Sequence, residues 1–132
     1  MVKIIRVENY KDYGKCVEIT NGVISALVTV EIGPRIISFG LSDGQNFMND
    51  NRKLLGGKDM DKPYTDFFGE NKRWENLGGH RVWLSPESYP ETYTPNDKPC
   101  TVKETENGAV FVYAEDSEIG VQKEMEIKMD AD

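Results

Sequence analysis

The sequence predicts an all-β fold, an antiparallel β-sandwich, and three observations carry that expectation. First, two segments alternate at period two. Between Val23 and Ile32, residues Ile24, Ala26, Val28, Val30 and Ile32 fall on one face, opposite Ser25, Thr29 and Glu31. Near the C-terminus, Val121, Lys123, Met125, Ile127 and Met129 alternate with Gln122, Glu124, Glu126 and Lys128, with Lys123 the one misfit. Such alternation marks a strand with one buried face. Second, Asn21-Gly22 and Asn107-Gly108 each separate two strand-like runs by two residues, the spacing of a tight hairpin. Third, no segment sustains a 3.6-residue apolar period, so short strands outnumber any helix.

The remaining elements follow in order. Lys15 to Thr20 and Arg35 to Leu41 are mixed strand candidates, whereas Ala109 to Ala114 is apolar on both faces and suits a central strand. Gly33-Pro34, Ser42-Asp43-Gly44 and Ser117 to Gly120 mark further reversals, which makes the chain a meander. Ser42 to Gly79 is different: rich in glycine, asparagine and aspartate, yet carrying Phe47, Tyr64, Phe67, Phe68 and Trp74 without periodicity. Irregular segments of this length in compact domains are either functional or disordered, and the aromatics favour function. A short helical turn fits between Asp66 and Trp74.

At 132 residues the chain has the size of one domain, 1–132, with enough length to bury a core. Its net charge of -7 excludes nucleic acid and anionic membrane as main partners, since both repel it. Charges break the apolar run at Met1 to Glu8, unlike a secretory signal, and no stretch approaches transmembrane length. Cys16 and Cys100, the two cysteines, lack the close spacing of a zinc or redox pair, so reduced thiols in a cytoplasmic protein are expected, with a disulfide between them as the alternative. Asn46, Asn49, Asp50 and Asn51 lack the order of a calcium loop and are read as turn residues. Gly56-Gly57-Lys58 lacks the flanking residues of a phosphate loop. No cofactor and no metal are therefore expected.

The candidate site is Gly78-Gly79-His80-Arg81-Val82-Trp83-Leu84-Ser85-Pro86-Glu87, followed by Glu91-Thr92-Tyr93-Thr94-Pro95. His80, the only histidine, is the one side chain whose ordinary pKa lets it donate and accept protons near neutral pH. A satisfied structural histidine is the alternative. Arg81 and Arg35 can fork hydrogen bonds onto ring or hydroxyl oxygens, the alternative being surface ion pairs. Trp83, Tyr93, Trp74 and Phe67 offer apolar faces with polar handles, although a residue such as Trp83 is more often core. Glu87 and Glu91 are acid-base candidates or solvated loop charges. The glycine pair suits close approach of a ligand to the backbone. Strand alternation would turn His80 and Arg81 to opposite faces, so both serve one pocket only if the segment is irregular.

Asn21-Gly22-Val23, Gly33-Pro34-Arg35-Ile36 with Phe39, and above all Gly78 to Glu87 followed by Thr92 to Pro95 resemble the galactose-mutarotase-like, aldose-1-epimerase-like proteins, over most of the chain. The resemblance implies a large antiparallel sandwich with a sugar-binding face and, as partner, a small-molecule sugar or polyol. In the mutarotases a histidine protonates the ring oxygen while a glutamate deprotonates the anomeric hydroxyl. By this resemblance His80 is the catalytic acid, and Arg35, Arg81, Trp83, Glu87 and Tyr93 bind substrate. The family's glutamate lies in its C-terminal half, so this sequence is expected to match an N-terminal portion, and neither Glu87 nor Glu91 takes that role. Two other functions compete with mutarotation: a carbohydrate-binding module without chemistry, and a structural or interaction fragment. The strand at Val121 to Met129, so close to the C-terminus, leaves an edge and an apolar face to cover, which predicts a homodimer.

Overall fold

The computed structural model describes all 132 residues as two antiparallel sheets with one short helix. The first sheet has five strands in chain order: β1 (Lys3–Val7), β2 (Cys16–Thr20), β3 (Ile24–Thr29), β4 (Arg35–Leu41) and the two-residue β5 (His80–Arg81). The second has three: β6 (Thr101–Thr105), β7 (Gly108–Val112) and β8 (Glu124–Lys128). The fold is all-β, and the expected meander is present within each sheet. No helix is long and apolar enough to cross a membrane.

Alternation builds the main core. Cross-strand partners lie on one face of a sheet, and Val17 opposes Val28 while Ile19 opposes Ala26. In the second sheet, Ala109 opposes Ile127 and Phe111 opposes Met125. Val17, Ile19, Ala26, Val28, Ala109, Phe111, Tyr113, Met125 and Met129 form one buried cluster between the sheets. The apolar face of the C-terminal strand, with Met125 at 7% and Met129 at 6% exposure, is thus covered within the chain itself. That removes one ground for self-association; the outer edge of β8 still pairs with no strand.

β3 differs from the half-buried strand expected. Leu27 and Thr29 on its other face are buried as well, because Tyr13, Cys16, Ile37 and Leu77 form a second cluster over that face. The irregular middle segment contributes Leu77 to this cover and is tied to it: the Tyr13 hydroxyl donates to Asp50 Oδ1 at 2.5 Å, and Asn46 docks on β4 through the Ile37 carbonyl and the Phe39 amide. The helix α1 (Lys62–Phe68) begins earlier than expected. Asp61 caps it by accepting from the Tyr64 amide at 3.1 Å, a proline occupies its first turn, and Gly69 ends it at φ 113°.

Both hairpins close one residue away from the expected positions. In the first, Asn21 still pairs with Ile24 and its carboxamide oxygen accepts from the Val23 and Ile24 amides, so Gly22-Val23 is the loop, with Gly22 at φ 88°. In the second, Thr105 opposes Gly108, which leaves Glu106-Asn107 as the loop and puts Gly108 inside β7. There a Cβ would strike the Ile127 carbonyl of β8. The glycine serves strand packing rather than turn geometry.

The C-terminal strand is also shorter than the alternation from Val121 to Met129, because Lys123 turns inward. Its ammonium lies 3.3 Å from Asp116 Oδ2, 3.3 Å from Thr94 Oγ1 and 4.8 Å from the centre of the Tyr113 ring. Burial raises the Asp116 pKa and lowers that of Lys123, and each partner's charge counteracts the other's shift.

Two outcomes test these assignments. Gly108→Ala should cost about 1–3 kcal/mol by overpacking against β8, whereas Asn107→Ala should stay within about 0.5 kcal/mol, both read from urea unfolding; the reverse order would restore the Asn-Gly turn. Lys123→Met should cost about 3–5 kcal/mol by stranding Asp116, and adding Asp116→Leu should recover most of it. No recovery in the double variant would show that the pair itself stabilises the fold.

Candidate functional site

The site forms where β4 meets β5, and the glycine pair makes that meeting possible. Gly78 and Gly79 have φ of 85° and 67°, and a Cβ on either would collide with a carbonyl: that of Asn49 at Gly78, that of Ile36 at Gly79. What approaches this backbone so closely is the chain's own β4 and the loop at Asn49, not an open ligand path. The Gly79 amide donates to the Asn49 carbonyl at 2.9 Å.

In the resulting register Arg35 opposes Arg81 and Ile36 opposes His80. The two arginines therefore share one face of the sheet, and His80 shares the other with Ile36. Ile36 and Val82 pack on the core between the sheets, while His80 itself is exposed at the sheet edge and its ring makes no hydrogen bond within the chain. The segment is regular here, so His80 and Arg81 point apart.

Arg81 is held by aromatics. Its guanidinium carbon lies 4.2 Å from the Trp83 ring centre and 5.4 Å from that of Trp74, a cation between two π faces. Tyr93 closes the group, edge-on to Trp74 at 4.9 Å and to Trp83 at 6.2 Å. The loop carrying Tyr93 is fixed from within: the Ser88 amide donates to Thr92 Oγ1 at 2.8 Å, and the Thr92 amide to the Ser88 carbonyl at 2.9 Å. Helix α1 holds it from beneath, where the Tyr64 hydroxyl donates to the Tyr93 carbonyl at 2.8 Å and Tyr89 donates to Asp61 at 2.5 Å. Glu91 accepts from Ser88 Oγ at 2.8 Å, a local loop bond. Glu87 is exposed; it makes no ion pair with Arg81, but its charge is felt there.

Arg35 lies deeper, at 4% exposure. One terminal nitrogen donates to the Gly78 carbonyl at 2.7 Å. Its Nε, together with one terminal nitrogen of Arg81 and the Trp74 Nε1, is sealed from solvent with no acceptor. Neither guanidinium belongs to an ion pair. Burial, and then the charge of Arg81, push the Arg35 pKa down to about 10. Burial lowers that of Arg81 too. The Arg35 charge is thus taken from water, and that of Arg81 partly so, without a counter-charge in contact, an arrangement that costs stability.

Tyr113 ties this group to the second sheet. Its hydroxyl donates to the Pro34 carbonyl at 2.5 Å and accepts from the Val82 amide at 3.1 Å, which fixes the residue before Arg35 and the residue after Arg81. The structure therefore brings together Arg35, Arg81, Trp83 and Tyr93, sets Glu87 nearby, and leaves His80 apart. Trp74 is among the aromatics that the sequence offers for a pocket, but no local signal ties it to Arg81. Tyr113 appeared as strand apolarity, with nothing to reveal the use of its hydroxyl. The oxygens of Asp50 and Asn46 serve the chain's own hydrogen bonds.

Comparison with known proteins finds no matching family model, curated protein or solved structure. The chemistry of the site rests on its own atoms.

Because Arg35 binds its proton less tightly in the folded chain than in the unfolded one, its penalty is in full force at neutral pH and is relieved only as pH rises through about 10. Arg35→Met should therefore leave the urea midpoint unchanged or raise it, the behaviour of a residue kept for binding rather than for stability. A loss above about 2 kcal/mol, of the size expected when a buried polar partner is stranded, would make Arg35 a structural residue.

Proposed function

We propose that this chain recognises carbohydrate through the Arg35 and Arg81 guanidiniums and the aromatic rings around them, on a sandwich of the galactose-mutarotase-like type. The observation that carries this is the set of buried N–H donors without acceptors beside the partly exposed Trp83. A pyranose presents what these groups lack: hydroxyl and ring oxygens for forked donors, and an apolar C–H face for a flat ring. Tyr93 and the Trp74 indole complete a small set of convergent polar groups on an aromatic wall, the usual make-up of a small-molecule site.

Binding without chemistry is the form favoured. Mutarotation needs acid and base within hydrogen-bond reach of the same sugar, and the register of β4 with β5 sends the His80 ring to the opposite face from the guanidinium pair. Catalysis by His80 remains the second function, supported by the sequence resemblance around Gly78 to Glu87.

Titrating neutral monosaccharides into isotope-labelled protein tests both. Amide shifts should change around Arg35, Trp74, Arg81 and Tyr93, Trp83→Ala should weaken binding by roughly fivefold, the value of an aromatic contact near 1 kcal/mol, and His80→Ala should leave it unchanged. Anomer exchange above the buffer rate that His80→Ala abolishes would instead establish the mutarotase. A response confined to other surfaces would refute carbohydrate binding at this site.

A further inference from the structure

We propose that the ligand of this site carries an oxyanion, a carboxylate or a phosphate, seated on the paired guanidiniums; this rests on the carbohydrate function above and narrows it to acidic sugars. Arg35 and Arg81 are nearest neighbours across the β4–β5 ladder, on one face. Arg35 is buried nearly completely, and its Nε still has no acceptor; a buried Arg81 nitrogen beside it also has none. A neutral hydroxyl accepts a hydrogen bond but leaves two like charges confined side by side. An oxyanion accepts from both forks and cancels the charge.

The chain's own carboxylates do not meet this need. Glu75 and Glu87 act on Arg35 and Arg81 respectively only through space, and neither makes an ion pair with them. The remaining charged partners of the region are committed elsewhere: Lys72 to Asp97 at 2.7 Å, Lys123 to Asp116. Nor do aromatics substitute for an anion. Trp74 and Trp83 stabilise the flat faces of the Arg81 guanidinium, whereas its N–H groups point along the plane and still require oxygen. Trp83, at 44% exposure, is the more exposed of the two rings.

Trp74 and Trp83 are the only two tryptophans in the chain, and both contact Arg81, so intrinsic fluorescence reports this site alone. Titrations of the intact chain with glucose, glucuronate, glucose 6-phosphate, acetate and inorganic phosphate at constant ionic strength separate the possibilities. Expected is binding of at least one acidic sugar roughly tenfold or more tighter than glucose, the gain of a charge-assisted over a neutral hydrogen bond. Arg81→Gln should abolish that preference. Glu87→Gln, which removes the negative charge felt at Arg81, should strengthen acidic sugars severalfold relative to glucose. Equal affinity for glucose and both acidic sugars overturns the oxyanion while carbohydrate binding stands. Inorganic phosphate or acetate binding as tightly as the acidic sugars supports the oxyanion and overturns carbohydrate recognition. No fluorescence response to any of the five overturns both.

Discussion

Tyr113 is where the packing of the molecule becomes the geometry of its site. Its ring belongs to the cluster between the sheets, built from Val17, Ile19, Ala26 and Val28 on one side and Ala109, Phe111, Met125 and Met129 on the other. Its hydroxyl leaves that cluster to bind the Pro34 carbonyl and the Val82 amide. Burying the ring without such partners would cost a polar group its hydrogen bonds. With them, the second sheet holds the chain on either side of the Arg35 and Arg81 pair, and the short β5 is kept against β4 although it contributes only two residues.

The consequence is a division of labour across one strand. His80 and Arg81 of β5 face opposite ways, so Arg81 enters the aromatic group while His80 stands exposed at the edge, and Val82, just after the strand, packs inward. The glycines before them are steric requirements of this docking, as is Gly108 on β7. The energetic exception is the guanidinium pair. Elsewhere buried charge is compensated, as at Lys123 and Asp116; at Arg35 and Arg81 it is not. A fold that accommodates two unneutralised cations beside three aromatic rings has retained them at a cost to stability, the pattern expected of a binding site.

Much of the architecture was legible in the sequence because period-two alternation depends only on local order. β2, β3, β4 and β8 lie within the segments that alternation and apolarity marked, and β7 does so but for Gly108, which local sequence marks as a turn residue. The errors share one cause, which is that long-range packing decides details local patterns leave open. Gly108 looks like a turn glycine until β8 lies over it, and Lys123 looks misplaced until Asp116 and Thr94 surround it. The site was legible in part. Arg35, Arg81, Trp83 and Tyr93 were marked by residue chemistry and by resemblance, whereas Trp74 and Tyr113 join them only through tertiary structure. His80 drew attention by its type and uniqueness, and neither property reveals which face of a strand it occupies.

In the proposed function the buried Arg35 and Arg81 donors await a ligand's oxygens, and guanidinium-selective NMR observes those donors directly. Recorded on the free chain and with each acidic and neutral sugar, the Arg35 Nε–H resonance should be protected from solvent exchange in the free state and should move downfield on ligand addition, together with that of Arg81. If ligands bind and shift other resonances while both arginine signals stay in place, the pair is structural and the account of the site is wrong.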